Sequence, residues 1–234
     1  MTDYSYLFRE HYSTSLLADA AFRGGIEVGL PSPGLRPLDL HGRLAGPAIT
    51  VEANNDLVSI LEAVHRAAPN DVVVIANRMA DVALIGDLIG TEAVRKGLAG
   101  FVVDGLVRDI VDLVDLRVPV HCRGSHPVGP LKVPAPMKGI GVVGEPVSIG
   151  GVDVAPGMWV FGDADGLVVL EAGDLEAVFD RAAVALRREE ALAREIASGT
   201  ALGDAMELDS FLSKRRNDPR SDFNTHLAGI GRAI

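Results

Sequence analysis

Five apolar residues in a row, Val72-Val73-Val74-Ile75-Ala76, constrain this chain more than any other feature. Four of the five are β-branched, and the turn Pro69-Asn70-Asp71 precedes them. The run is short for a helix and lacks the alternation of a half-exposed strand, so it reads as a strand buried on both faces. Such a strand needs covering elements on both sides of its sheet. Asp56 stands as N-cap before Leu57, Ile60, Leu61 and Val64, which share one helical face. A second helix is expected within 79–97, stopped by Gly97. Phe101-Val102-Val103, closed by Asp104-Gly105, is another buried strand. A short helix after Arg108 carries Ile110, Val111, Leu113 and Val114, and 118–122 is a further strand. Alternation of this kind predicts an α/β fold with a parallel or mixed sheet.

The flanking regions have other patterns. Ser13 or Thr14 opens a first helix that runs through Leu16, Leu17 and Ala20-Ala21 to the Gly24-Gly25 stop. Residues 29–37 form a loop and 48–51 a strand. Val, Ile, Trp and Gly at short spacing over 139–171, with turns at Gly150-Gly151, Pro156-Gly157 and 163–166, predict several short strands. Asp174 caps a long amphipathic helix to about Ser198, stopped by Gly199. Beyond Gly203 the chain is polar and is expected to wrap the surface or a neighbouring subunit. No linker divides the sequence, so 1–234 is read as one domain with a tail over about 200–234.

Charge and composition narrow the function. The 32 acidic and 22 basic residues give a net charge of −10, which repels phosphate backbones and argues against nucleic acid as a partner. The densest basic clusters, Arg187-Arg188 and Lys214-Arg215-Arg216, are short and read as solvated faces. The lone cysteine, Cys122, allows no internal disulfide or cysteine-based zinc site, and Pro119-Val120-His121-Cys122 reads as a buried strand. Residues 1–10, with Asp3, Arg9 and Glu10 and no apolar core, look like neither a signal peptide nor a membrane helix. No membrane partner and a cytoplasmic location are expected. The six histidines share no metal-ligand spacing; His126 alone lies in a loop able to line a pocket and reach a distal carboxylate.

Two segments carry chemistry. Gly86-Asp87-Leu88-Ile89-Gly90, with Thr91 and Glu92 leading into a helical pattern, is a glycine-bordered turn whose backbone N–H groups attract a carboxylate or phosphate. An ordinary helix start capped by Asp87 has the same pattern. Asp104-Gly105-Leu106-Val107-Arg108-Asp109 follows a buried strand, at the sheet end where α/β proteins gather ligands. Arg108 offers a planar fork for a carboxylate, and Asp109 a hard oxygen suited to Mg²⁺ or Mn²⁺. Asp112, three residues on, shares a helical face with Asp109. A surface ion-pair cluster is the alternative for these three.

The run from Ile85 to Asp109 resembles the family shared by the 4-hydroxy-4-methyl-2-oxoglutarate and 4-carboxy-4-hydroxy-2-oxoadipate aldolases and the regulator of ribonuclease E activity. Further similar segments are Leu44-Ala45-Gly46-Pro47-Ala48-Ile49-Thr50-Val51, Arg123-Gly124 with Pro127, and Gly162-Asp163-Ala164-Asp165-Gly166-Leu167-Val168-Val169. The resemblance implies a β/β/α swivelling-type domain with a mixed sheet, a long C-terminal helix and an active site between subunits of a trimer, or of a hexamer of paired trimers. It implies that Arg108 and the amides of Leu88 and Ile89 bind the pyruvyl end of a small 2-oxo acid, with Gly86 in the same loop. Asp109 then holds Mg²⁺ or Mn²⁺ directly, and Asp87 and Asp112 hold metal-bound waters. A glutamate of the last long helix reaches across from the neighbouring subunit; Glu189 is the best match, with Glu190 adjacent. Asp112 is the acidic residue that separates the aldolases from the ribonuclease regulator. The implied reactions are cleavage of a 4-hydroxy-2-oxo dicarboxylic acid to pyruvate and a second keto acid, and decarboxylation of oxaloacetate. The region Leu202-Gly203-Asp204-Ala205-Met206 echoes the aldolase tail only loosely, and His126 replaces a residue that is usually uncharged.

Other classes fit less well. A non-enzymatic regulator would need neither Asp112 nor Glu189. Gly139-Ile140-Gly141-Val142-Val143-Gly144 spells a dinucleotide motif, but Pro134 and Pro136 precede it and Pro146 with Gly150-Gly151 follows, where a strand and a helix are required. No methyltransferase-type glycine-rich strand–loop–helix is present. No lysine lies in the motif to form a Schiff base; Lys96 is expected at a helix end in solvent.

Overall fold

The computed structural model describes residues 2–79, 82–132 and 139–232; Pro134 and Pro136 lie outside these. The predicted buried strands pair where the alternation places them. Strand β1 is Arg36–Pro37, β2 Leu44–Glu52, β3 Val72–Ala76, β4 Ala83–Ile85, β5 Gly100–Val107 and β6 Val120–Ser125. The short strands follow as β7 Val142–Val143, β8 Val147–Ile149, β9 Val152–Val154, β10 Trp159–Gly162 and β11 Leu167–Leu170. Helices are α1 Tyr4–His11, α2 Thr14–Gly24, α3 Leu57–Arg66, α4 Asp87–Lys96, α5 Ile110–Asp115, α6 Leu175–Ala197, α7 Leu202–Ala205, α8 Leu208–Asn217 and α9 Phe223–Gly229.

The main sheet runs β1-β6-β5-β3-β2-β10-β11, with β4 on β5 and β7 on β2. Strands β2, β3, β5 and β6 are parallel to one another in turn, while β1, β7, β10 and β11 pair antiparallel. This is the mixed α/β sheet with a long C-terminal helix that the sequence predicts. One core packs α3, α4 and α5 against the parallel strands, through Ile60, Val64, Ile89, Ala93 and Leu113. The other face is covered by the β8–β9 hairpin and Leu35. Around β10 and β11 a third cluster joins Phe161 of β10 to Phe8, Leu17, Val178 and Phe179 from α1, α2 and α6.

Local signals act as their chemistry predicts. Asp56 accepts hydrogen bonds from the amides of Val58 and Ser59 at the start of α3. Ser13 caps α2 by accepting from Leu16 N–H. Gly97 takes the left-handed conformation, φ 68°, that ends α4.

Several expectations are corrected. The helix opened by Ser13 is not the first: Asp3 caps α1 ahead of it, and Phe8 of that helix is fully buried. Strand β5 does not close at Asp104-Gly105 but continues to Val107, because β4 and β6 keep pairing with its last residues. Helix α4 begins at Asp87, before Thr91, and Gly86 rather than Asp87 is its N-cap. Leu61 and Val111 turn to solvent. Asp174 holds the N-cap position of α6 without a side-chain capping bond. Lys96 is not simply solvated; its Nζ donates to the carbonyls of Val64 and His65, satisfying the end of α3. The polar tail folds back through Ala205, Met206 and Leu227 onto Leu192 of α6. Gly139 to Gly144 contains β7 and leads into β8, not a helix, which removes the dinucleotide reading. Among the described residues no helix is long and apolar enough to cross a membrane.

Two titratable groups are sealed in the sheet. Burial pushes the Cys122 thiol up, opposed by a backbone hydrogen bond at Gly124, so it stays protonated and inert. His121 is fully buried; its Nε2 lies 2.9 Å from the Asp163 carbonyl, and its Nδ1 has no partner among the described residues. Desolvation holds its pKa below the ordinary 6.5, against the pull of Asp163. The unfolded chain therefore takes up a proton near pH 6.5 that the folded chain refuses. Stability from this group is present above that pH and lost as pH falls below it. Urea unfolding is expected to show a midpoint that falls from about pH 7 to about pH 5, with a slope shallower by up to ~1.4 kcal/mol per pH unit in His121→Gln. An unchanged slope in that variant would remove His121 from the account.

Candidate active site

Residues 22 positions apart meet because β4 runs parallel to β5. Ile85 pairs with Val107, and the Arg108 amide donates to the Ile85 carbonyl at 3.0 Å. The chain then turns from both strands into helices at the same height, β4 into α4 and β5 into α5. This sets Gly86 against Arg108 and Asp109. A Cβ at Gly86 would collide with Asp109 Oδ2 and stand 3.0 Å from Arg108 Cγ and 3.1 Å from Arg108 Nε. Gly86 is extended (φ −157°, ψ −160°), so close approach rather than turn geometry requires the glycine. The second glycine of the motif has the same reason: a Cβ on Gly90 would lie 2.6 Å from Leu113 Cδ2 of α5. The motif is thus a packing surface for the Arg-Asp turn.

Asp109 sits at φ 54°, ψ 46°, in the left-handed region that non-glycine residues rarely occupy. It is the N-cap of α5 yet makes no capping bond to that helix. Its Oδ2 instead accepts from the Asp87 amide at 3.3 Å and lies 3.1 Å from Arg108 Nε. Asp109 therefore caps α4 from across the sheet end, which a glycine N-cap cannot do. Oδ1 has no partner among the described residues. The strained backbone is held because it aims this carboxylate at the neighbouring helix.

Helix α4 has two further first-turn donors. The N–H groups of Leu88 and Ile89 have no hydrogen-bond partner among the described residues, since Gly86 has no side chain and the first internal bond is Gly90 N–H to Gly86 O. They open on a cleft of about 420 Å³ shared with Arg108, and floored by Ala83 to Ile85 and walled by Leu57, Leu61 and Leu131. Arg108 is 45% exposed on its side chain, and Gly129 stands so close that a Cβ there would be 3.2 Å from Arg108 Nη1. A second depression of about 360 Å³ on the other side of Arg108 is lined by Asp109, Ser125, His126 and Pro127. One guanidinium therefore borders both spaces. The arrangement suits a two-oxygen anion: a planar fork, two free amides and the positive end of a helix.

The predicted site residues are partly brought together. Gly86, Asp87, Leu88, Ile89, Arg108 and Asp109 form one continuous surface. Asp112 is exposed one turn along α5, and neither it nor Asp87 makes a side-chain hydrogen bond or ion pair among the described residues. Glu189 lies on α6, which packs on α2 and lines neither depression beside Arg108; within one chain it is not at the site. Glu190 pairs with Arg194 at 3.7 Å. Asp104, close in sequence, faces away and binds Arg123 and the Gly150 amide. His126 does line the depression beside Arg108. Gly129 and Lys132, which the sequence reading omits, border the cleft; no local pattern marks them, because the loop reaches the site through the pairing of Ala83 N–H with the Val128 carbonyl.

Among the described residues no three His, Cys, Asp or Glu side chains converge as a cage for an ion. A fully protein-ligated zinc site does not fit. A hard cation that keeps several waters and takes its other ligands from substrate fits Asp109 Oδ1 with the unpartnered Asp87 and Asp112 carboxylates nearby.

Comparison with known proteins gives a consistent picture. The model of the RraA-like family, described as Aldolase/RraA, matches residues 14–169. A protein of Halalkalibacterium halodurans named "Putative 4-hydroxy-4-methyl-2-oxoglutarate aldolase" is 36% identical over 182 residues, covering 77% of this chain and 82% of its own. An uncharacterized protein of Pseudomonas syringae pv. tomato superposes with a TM-score of 0.70 at 27% identity, over 84% of this chain and 93% of that one. Streptomyces coelicolor RraAS2, a member of the RNase ES inhibitor RraA family, shares the fold with a TM-score of 0.68 at 24% identity, over 85% of this chain and 98% of that one.

Proposed function

This chain belongs to the RraA-like (Aldolase/RraA) family, and on that premise we propose that it is a divalent-metal-dependent pyruvate aldolase, a carbon–carbon lyase. Its substrate is a 4-hydroxy-2-oxo dicarboxylic acid, cleaved to pyruvate and a second keto acid, and it also decarboxylates oxaloacetate. The observation that carries this reading is the Arg108-Asp109 pair pressed against a helix start with two unsatisfied amides. The named relative supports the reaction class.

The chemistry follows from where charge develops. The substrate's C1 carboxylate lies on the Leu88 and Ile89 amides, and the Arg108 fork spans that carboxylate and the C2 keto oxygen. The Asp87 carboxylate takes up the proton of the C4 hydroxyl through a bridging water, which accepts that proton as it passes its own to the carboxylate. The C3–C4 bond then breaks, its electron pair forming the enolate of pyruvate, and C4 leaves as the new keto group. Arg108 and the amides stabilise the enolate's charge as it forms, and they are in place beforehand. Protonation at C3 gives pyruvate. Asp109 would hold Mg²⁺ or Mn²⁺, with Asp87, Asp112 and Glu189 of a neighbouring subunit acting through water, and the ion would supply Lewis-acid stabilisation of the same enolate. Oxaloacetate loses CO₂ through the same enolate, which explains one site serving both reactions. The Glu189 role requires a homo-oligomer, a trimer or a hexamer of trimers, and a cytoplasmic site of action goes with the metabolite substrate.

Pyruvate release from oxaloacetate tests this. We expect a Mg²⁺-dependent rate that falls by at least about 10²-fold on chelation and returns when Mn²⁺ is added. Equal rates with and without chelator would end the proposal. The other reading, a non-enzymatic regulator, rests on the shared fold of RraAS2; a calorimetric titration with no Mn²⁺ and no oxalate binding would favour it.

A further inference from the structure

The reading above leaves the substrate's second carboxylate without a partner. The amides of Leu88 and Ile89 and the Arg108 fork are committed to the pyruvyl end. The cleft on their side is walled by Leu57, Leu61 and Leu131 and suits no second charge except at Lys132. The depression lined by the other residues around Arg108 mixes Ile110 and Pro127 with polar groups and carries no leucine wall. Besides Arg108 and Asp109, its polar side chains are Ser125 and His126.

His126 is prepared as a donor by its backbone surroundings. Its own amide donates to the Val107 carbonyl at 2.9 Å, tying the loop to the last residue of β5. Its Nδ1 faces the Val128 amide at 3.2 Å and accepts from it. An imidazole whose Nδ1 accepts must, when neutral, bear its proton on Nε2. The ring therefore presents an Nε2–H donor without needing to be charged. Val107, which anchors the loop, directly precedes Arg108, so the donor and the guanidinium are referenced to one strand end. Lys132, by contrast, is exposed and makes no hydrogen bond or ion pair among the described residues that would fix its Nζ.

Resting on the pyruvate-aldolase reading, we propose that His126 Nε2–H, with the Ser125 hydroxyl, binds the distal carboxylate of a five-carbon 2-oxo dicarboxylate and so sets specificity for dicarboxylic over monocarboxylic substrates. His126 is a specificity-determining residue in this assignment; it moves no proton in the bond-breaking step.

The test uses two uncleaved ligands of one chain length. 2-Oxoglutarate carries a carboxylate at C5, and 2-oxopentanoate carries a methyl there. Both are titrated calorimetrically into the whole protein with Mn²⁺, and oxalate, which has no distal half, is titrated in parallel. Wild type is expected to bind 2-oxoglutarate at least about tenfold more tightly than 2-oxopentanoate, the range for a hydrogen bond to a charged group. His126→Phe keeps a planar ring without the donor and is expected to erase that preference, with oxalate affinity unchanged. His126→Gln, which can return an N–H near the Nε2 position, is expected to restore it. A His126→Phe protein that keeps the preference, or Lys132→Ala erasing it instead, overturns the His126 assignment while oxalate binding leaves the aldolase reading standing. Wild type that binds oxalate but shows no preference also overturns it. Wild type that binds none of the three overturns both.

Discussion

Arg108→Ala lowers kcat/KM for pyruvate release from oxaloacetate by about 10³-fold, since one preorganised donor at a developing oxyanion is worth about 2.7–4 kcal/mol. Part of the loss appears as a raised KM, because the guanidinium also holds the ground-state carboxylate. Thermal stability changes little. The side chain is 45% exposed and its ion pair is with the adjacent Asp109, so the change lies within about 0.5 kcal/mol. Arg108→Lys does not restore the rate, since a single ammonium cannot reproduce the two-pronged grip. Steady-state kinetics together with a melting curve separate this from misfolding. A kcat/KM within tenfold of wild type would remove Arg108 from the chemistry.

Gly86→Ala gives the second large effect, and it does so without replacing a charged residue. The added methyl occupies the place of Asp109 Oδ2 and crowds Arg108 Cγ and Nε. Either the Arg-Asp turn moves off α4 or α4 moves off the sheet. Overpacking of this kind costs about 1–3 kcal/mol of stability. The larger consequence is geometric. A displacement of about 1 Å in a catalytic pair costs on the order of 10²-fold in rate, and the Asp109 cap on the Asp87 amide is lost with it. Gly173→Ala is the matched control, because a Cβ at Gly173 meets nothing within 4 Å. Activity and Mn²⁺ affinity fall in the first variant and stay level in the second. If both variants behave like wild type, the close contact at Gly86 has no functional meaning.

The parts of this architecture legible in the sequence are those with one dominant local cause. Val72–Ala76 could be read as a buried strand from side-chain type alone. Asp56 and Gly97 announced the ends of α3 and α4 through capping chemistry. Arg108 and Asp109 stood out as a fork and a hard carboxylate in tandem at a strand end, a pattern that a surface ion-pair cluster shares, and the resemblance of the run from Ile85 to Asp109 weighted the reading toward a site. What was hidden depends on contacts distant in sequence. Strand β4 is three residues long and exists because β5 offers an edge. Helix α1 carries one fully buried aromatic, Phe8, whose partners Phe161 and Arg43 lie far along the chain. The left-handed backbone of Asp109 has no signature in a residue type that usually avoids it. The two glycines of the loop looked like turn residues; their role as contact surfaces for Asp109 and Leu113 needs the neighbouring helix. The role proposed for Glu189 depends on a neighbouring subunit, and within one chain Glu189 lines neither depression beside Arg108.

Crystals of the protein soaked with oxalate and Mn²⁺ test the central claim most directly, because oxalate mimics the enolate of pyruvate. The account predicts oxalate between the Arg108 guanidinium and the amides of Leu88 and Ile89, chelating an ion that is also bound by Asp109. Oxalate found elsewhere, or an ion at the site with Arg108 turned away from it, would contradict the account.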